Sequence, residues 1–213
     1  RIFVSGATGY IGGRLIRPLV EAGYSVRAGA RRPEVLSHRI DPMVRDSVET
    51  VPFDALDAGT VKAALENVDT AYWLVHSLGA KEDYAELDRK ATTIFADAAR
   101  EADVQRIVFL GGLGHSDDGL SKHLSSRHEV GRILADSGVQ TIELRASIIL
   151  GSGSLSFELI RALVEKLPVM VAPRWVRLPA QPIAIEDVLG YLLEAREAHI
   201  PASVYEIGGA DQV

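Results

Sequence analysis

A short apolar run followed by three evenly spaced glycines constrains this chain more than any other feature. The first residues read Arg1-Ile2-Phe3-Val4-Ser5-Gly6-Ala7-Thr8-Gly9-Tyr10-Ile11-Gly12. Ile2, Phe3 and Val4 are residues that suit a buried strand, and Tyr10 to Ala22 carries the period of an amphipathic helix. Strand, glycine turn and helix are the parts of a dinucleotide-binding unit. The first glycine allows a tight turn, the second lets the backbone approach a pyrophosphate, and the third lets the helix pack close to the strand. The start of the helix turns unpaired N–H groups and a positive partial charge towards the phosphates. Cofactor contacts are therefore expected from Gly6, Thr8, Gly9, Tyr10, Ile11 and Gly12.

The rest of the chain keeps up the alternation. Further strands are expected over residues 24–30, 48–53, 71–76, 106–110, 141–146 and 204–207. Helices are expected near 61–67, 82–102, 122–137, 157–166 and 185–198, with a shorter one between Pro33 and Pro42. Thr60 is placed to cap the helix at 61. Pro18, deep in the first helix, predicts a kink or a register in which its missing N–H does little harm. Five or six βα alternations without a compositional break specify an α/β fold with a doubly wound parallel sheet of the Rossmann type. The 213 residues fit one domain. Past Gly153 the rhythm changes, and residues 151–213 are expected to form a small C-terminal lobe on the substrate side of the cleft. The chain stops soon after its last strand, so the natural product is expected to continue past residue 213.

Composition narrows the function classes. A net charge of −6 argues against broad nucleic-acid binding, which favours a basic face. No apolar run approaches the roughly 20 residues that span a bilayer, and the N-terminus lacks a signal-peptide layout. There is no cysteine, hence no disulfide and no thiolate–metal site, which suits a cytoplasmic protein. The second strand ends in Arg31-Arg32-Pro33. An acid there would hold the ribose 2′-hydroxyl of NAD, whereas two guanidinium forks suit the 2′-phosphate of NADP. NADP is the expected cofactor, with NAD as the alternative. Asp54 and Ala55 follow the third strand, where adenine contacts arise. Val75 and His76 end the fourth, at the sheet edge where ligands bind in open α/β folds.

These residues resemble the short-chain dehydrogenase/reductase superfamily, in its atypical and extended branches of NmrA-like and sugar-epimerase-like proteins. The resemblance rests on Gly6 to Gly12, on Asp54, and on Ile185-Glu186-Asp187-Val188 of the last helix. Leu74-Val75-His76-Ser77, Leu110-Gly111-Gly112-Leu113-Gly114 and Arg174-Trp175-Val176-Arg177 are similar to a bacterial subgroup of NAD(P)H-binding, epimerase-like proteins. Members of that subgroup often carry a further C-terminal domain. The superfamily's reactive centre is a Tyr, a Lys four residues on, and a Ser or Thr after the fifth strand. This chain departs from it: no Tyr occurs between Tyr84 and Tyr191. By register His123 falls where the Tyr would be and Arg127 where the Lys would be, and glycines follow the fifth strand.

Three residues are therefore candidates for chemistry. His123 is a candidate proton donor or base, because imidazole titrates near neutrality. Arg127, one turn on, could bind the nicotinamide ribose or a substrate carboxylate, and His76 could meet ribose or a substrate carbonyl. His115 and His128 match no metal-ligand spacing, so no metal is expected. Arg174, Trp175 and Arg177 could close over an anionic or planar ligand. The readings left open are an NADPH-dependent oxidoreductase acting on a small molecule, a non-catalytic NADP(H) sensor of the NmrA kind, and a nucleotide-sugar epimerase. A homodimer or an attached C-terminal domain is the expected association; no nucleic-acid or membrane partner is expected.

Overall fold

Seven strands stand side by side in the order β3-β2-β1-β4-β5-β6-β9, and every neighbouring pair is parallel. The computed structural model describes residues 1–76, 84–114, 121–166 and 180–212. In chain order the elements are β1 (Ile2–Val4), α1 (Tyr10–Glu21), β2 (Val26–Ala30), α2 (Pro33–Arg39), a 3-10 turn (Arg45–Ser47), β3 (Val48–Pro52), α3 (Ala58–Leu65) and β4 (Thr70–Trp73). They continue with α4 (Tyr84–Glu101), β5 (Arg106–Gly112), α5 (Lys122–Ala135), β6 (Gln140–Ala146), β7 (Ile149–Leu150), α6 (Leu155–Lys166), β8 (Ile183–Ala184), α7 (Ile185–Glu194) and β9 (Val204–Ile207). β7 and β8 form a separate parallel pair, while α7 packs on α1 and β9 adds to the main sheet beside β6.

Both sheet faces are covered, which is why the central strands are apolar at successive positions. Alternate side chains enter different cores. Val4, Tyr72, Val108 and Leu110 join Leu15, Ile16, Leu19, Val188 and Leu192 on one face. Phe3, Trp73, Ile107 and Phe109 join Val61, Leu65, Phe95, Ala99 and Leu134 on the other. The chain winds outward from β1 to β3, then crosses back to β4 and winds the other way. That reversal opens a crevice at the carboxyl ends of β1 and β4, the usual place for a ligand in this architecture.

Two buried arginines close the opposite, amino edge. Arg27, near the start of β2, donates to the carbonyls of Ala64 and Glu66 at 2.9 Å each. Arg106, opening β5, faces the carbonyls of Ala195, Glu197 and Ile200 at 2.8–3.0 Å. Each guanidinium thus satisfies orphan carbonyls in the last turn of a helix or just past it, of α3 and α7 respectively.

Several boundaries differ from the sequence expectation for identifiable reasons. α3 starts at Ala58 because Asp57 is its N-cap, accepting from Gly59 N–H at 2.9 Å; Thr60 instead receives the Asp54 N–H at 3.0 Å. β4 leaves the sheet after Trp73 because the Leu74 N–H is taken by the Ser5 hydroxyl at 3.0 Å. α7 ends at Glu194, where the following carbonyls turn to Arg106. α1 runs through Pro18 as one helix, and Gly23, at φ +86°, lets the chain turn out of it.

Candidate functional site

The site grows out of the glycine turn. Gly6 sits at φ +62°, and a Cβ there would lie 2.5 Å from the Leu74 carbonyl oxygen, so only glycine lets the turn rest against the end of β4. Gly9 N–H closes the turn onto the Gly6 carbonyl at 2.8 Å. At Gly12 a Cβ would meet the Gly6 carbonyl oxygen at 2.5 Å, so the third glycine sets how close the helix comes to the turn. Gly9 is also the N-cap of α1, with no side chain capping the first turn and no acid in it. The free N–H groups and helix dipole at this end are therefore available to an anion. A cradle that a Cβ would fill, beside an uncapped helix start, fits a dinucleotide pyrophosphate.

Beside the turn, a groove of about 440 Å³ opens between α1 and α2, bordered by Thr8, Gly9, Arg14, Arg17, Arg39 and Asp41. Arg17 is committed to Glu21 and Asp41, at 2.7 and 2.9 Å. Arg31 and Arg32, at the end of β2, are exposed, and neither side chain has an ion-pair or hydrogen-bond partner among the described residues. Asp54 lies past β3, its carboxylate accepting from Leu56 N–H at 3.0 Å, with Ala55 packed on the neighbouring core. Tyr10 opens α1 under the guanidinium of Arg14, 4.0 Å from its ring. The Tyr10 hydroxyl is buried against Gly151 and has no hydrogen-bond partner among the described residues. Ile11 packs on the α1-side core.

Two residues past Leu74, the backbone delivers His76 to the carboxyl edge. Its Nδ1 lies 3.1 Å from Oδ2 of Asp88 on α4, a carboxylate only 4% exposed. Its Nε2 is buried and has no hydrogen-bond partner among the described residues. The ring faces His123 of α5, with centroids 4.9 Å apart. The structure therefore brings His76 and His123 together. Arg127 lies beneath them. It is buried, donates to the Leu110 carbonyl at 2.5 Å and the Val75 carbonyl at 3.4 Å, and stacks 4.6 Å over Phe109. Burial pulls its guanidinium down to about 10 against the opposing pull of Asp88 and Glu143, so it stays charged at neutral pH. It ties the end of β4 to β5.

The glycines after β5 also have a local reason. Gly111 leaves room for the buried Glu143 carboxylate, which a Cβ would approach to 2.6 Å, and Gly112 leaves room for Leu124. Those side chains fill the space that a serine would take. Asp88 carried no signal in the sequence beyond one unusual placement: it is an acid at the helical spacing shared by the buried Ala91, Thr92 and Phe95. His115, Arg174, Trp175 and Arg177 lie outside the described residues. Among the described residues no three His, Cys, Asp or Glu side chains converge as metal ligands would, and no helix is long and apolar enough to cross a membrane.

His123 is held below the ordinary imidazole range, first by burial, then by the adjacent His76 and Arg127, with Asp88 opposing. The unfolded chain then binds the proton more readily than the folded one. Stability associated with His123 should be complete above about pH 6.5, the unfolded value, and decline as pH falls towards the lowered folded value. Urea unfolding of wild type and His123→Gln, from about pH 8 to about pH 5, should show a shallower acid decline in the variant. Equal slopes would refute the assignment.

The seven-stranded parallel sheet with its glycine turn defines a nicotinamide-dinucleotide-binding protein of Rossmann architecture. The chain belongs to the NAD(P)H-binding family, whose model matches residues 6–150. It is 28% identical over 139 residues to protein TIC 62, chloroplastic, of Pisum sativum, covering 56% of this chain and 26% of that one. It is 30% identical over 115 residues to sterol demethylase protein B of Methylococcus capsulatus, covering 52% and 34%. The match thus spans about a quarter to a third of these relatives' lengths. Among solved structures, a nucleoside-diphosphate-sugar epimerase from Staphylococcus aureus superposes with a TM-score of 0.80 at 15% identity, over all of this chain and 72% of that one. MoeE5 in complex with UDP-glucose and NAD superposes with a TM-score of 0.76 at 22% identity, over all of this chain and 77% of that one. These likenesses establish the fold.

Proposed function

We propose that the protein is an NADPH-dependent oxidoreductase acting on a small carbonyl or quinone compound in the cytoplasm. The observation that carries this reading is the contact between His76 and His123 at the strand end on which the glycine turn rests. It sets a titratable pair beside the place where the fold holds its cofactor. Gly6, Thr8, Gly9, Tyr10, Ile11 and Gly12 would hold the pyrophosphate, and Arg31 with Arg32 the 2′-phosphate. Asp54 and Ala55 would flank the adenine, and Val75 with His76 would flank the ribose of the nicotinamide. When bound, the reduced dinucleotide supplies a hydride. The chain's own contribution is to exclude water and to exchange a proton with the acceptor oxygen at an imidazole. Arg127 holds the two strand ends in place beneath. The epimerase reading is weaker, because α5 carries no tyrosine and Arg127 stands at the register of the lysine that it needs.

Turnover is tested by following NADPH oxidation with quinones, flavins, aldehydes and enones. Tight NADPH binding without turnover on any acceptor would favour the sensor reading instead. For the cofactor preference, calorimetry on Arg31→Ala should show NADPH affinity falling by about 10-fold or more, the loss of one charge-assisted contact, with NADH affinity little changed. Equal losses for both would remove the 2′-phosphate role.

A further inference from the structure

His76 presents an asymmetric imidazole. Nδ1 is engaged by a carboxylate that is almost wholly buried on α4, while Nε2 is buried and has no hydrogen-bond partner among the described residues. With Asp88 ionised beside the Arg127 guanidinium, its carboxylate can only accept, and the 3.1 Å bond then takes its proton from Nδ1. The neutral ring is then left with its lone pair on Nε2, because the partner of one ring nitrogen decides the state of the other. A buried, unmatched acceptor is costly unless something meets it. Among the described residues the remaining ionisable neighbours are His123 and Arg127, both on α5. Arg127 is engaged with the Val75 and Leu110 carbonyls, so it does not compete for Nε2.

We infer that Asp88 is a positioning residue that fixes His76 in the Nδ1–H tautomer, making Nε2 the atom through which the cleft exchanges a proton with a bound oxygen. This role rests on the oxidoreductase reading. When a carbonyl or quinone is reduced, its oxygen takes one proton, which the imidazolium releases from Nε2. The ring that remains is the Nδ1–H form that Asp88 holds, and water restores the proton. In the oxidation direction Nε2 takes the proton from the hydroxyl. Asp88 does not itself give up or take a proton; it sets the ring's aim and tautomer.

The decisive readout needs no turnover. Two-bond nitrogen–proton correlation spectra of labelled wild type, recorded at alkaline pH with and without NADPH, should show His76 protonated at Nδ1 and bare at Nε2. Asp88→Asn, nearly isosteric and able to donate to Nδ1, should move the ring towards the Nε2–H form; Asp88→Ala should leave a mixture. Wild type with its proton on Nε2, or an unchanged pattern in Asp88→Asn, overturns the assignment. The second readout is NADPH oxidation by 9,10-phenanthrenequinone. Asp88→Asn and His76→Gln should each lower kcat by about 100-fold or more, in the range of general acid–base catalysis, while in Asp88→Asn NADPH affinity stays within about 2-fold of wild type. If wild type turns over and both variants match it, the proton-exchange role fails while the oxidoreductase reading survives. If wild type shows the Nδ1–H pattern yet oxidises no NADPH with any acceptor, the oxidoreductase reading and the proton exchange fall together, and the positioning by Asp88 stands.

Discussion

An alanine at position 12 is expected to reduce NADPH affinity by about 100-fold or more, equivalent to about 2.8 kcal/mol of binding free energy. The added methyl would lie 2.5 Å from the Gly6 carbonyl oxygen, 2.9 Å from its carbon and 3.2 Å from the Ala7 Cα. All three are backbone atoms, so no side chain can swing aside to relieve the clash. The helix must back away from the turn, taking its uncapped N–H groups off the phosphate position. Gly190→Ala in α7 is the matched control, because nothing lies within 4 Å of a Cβ there. It should bind NADPH normally and gain about 0.5–1 kcal/mol of stability from helix propensity. Calorimetry on the two variants checks both halves; a Gly12→Ala protein that keeps wild-type affinity would remove the turn from the binding site.

Arg106→Ala should be the most damaging substitution for the fold itself. Its side chain is buried, and it serves the Ala195, Glu197 and Ile200 carbonyls together with the Gln140 side chain at 3.1 Å. Removing the donor strands buried acceptors and opens a cavity at the junction of β5, β6 and the end of α7. A loss of about 3–5 kcal/mol is expected, which for a chain of this size lowers Tm by roughly 6–20 °C. Arg106→Lys should recover only part of this, since the three carbonyls gather on one nitrogen, Nη1, but a single ammonium cannot also reach the Gln140 side chain that Nη2 serves. Thermal unfolding of both variants measures the effect. A change of under about 2 °C for the alanine variant would mean that water takes over the carbonyls without cost.

The legible parts of this fold are those governed by near neighbours in the chain. The glycine turn announced itself because a positive φ at Gly6 and a close approach at Gly12 admit one residue type. The buried strands showed as apolar runs because both sheet faces are covered. The early end of β4 was hidden, since its cause is the hydroxyl of Ser5, distant in sequence. Arg127 was expected to reach into the cleft. It points inward because it shares a helix stripe with the buried Val130, Gly131 and Leu134, a period that the sequence already contained. Asp88 was missed for a related reason: a helical stripe marks which residues face inward, but not what they meet there. The amino-edge arginines were equally opaque, because the carbonyls they serve belong to helix ends fixed only by the tertiary fold.

The Ser5 and Gly6 contacts with Leu74 gear the phosphate turn to the histidine. Ser5 donates its hydroxyl to the Tyr72 carbonyl at 2.8 Å and accepts the Leu74 N–H, while Gly6 leans on the Leu74 carbonyl. Only Val75 separates that clamp from His76, and Arg127 anchors the Val75 carbonyl from below. Two peptide units therefore lead from the clamped turn to the imidazole. On the proposed reading, a dinucleotide seated on the turn would also aim the ring. If that reading holds, the proposed discrimination between cofactors at Arg31 should be felt in the rate of NADPH oxidation as well as in affinity.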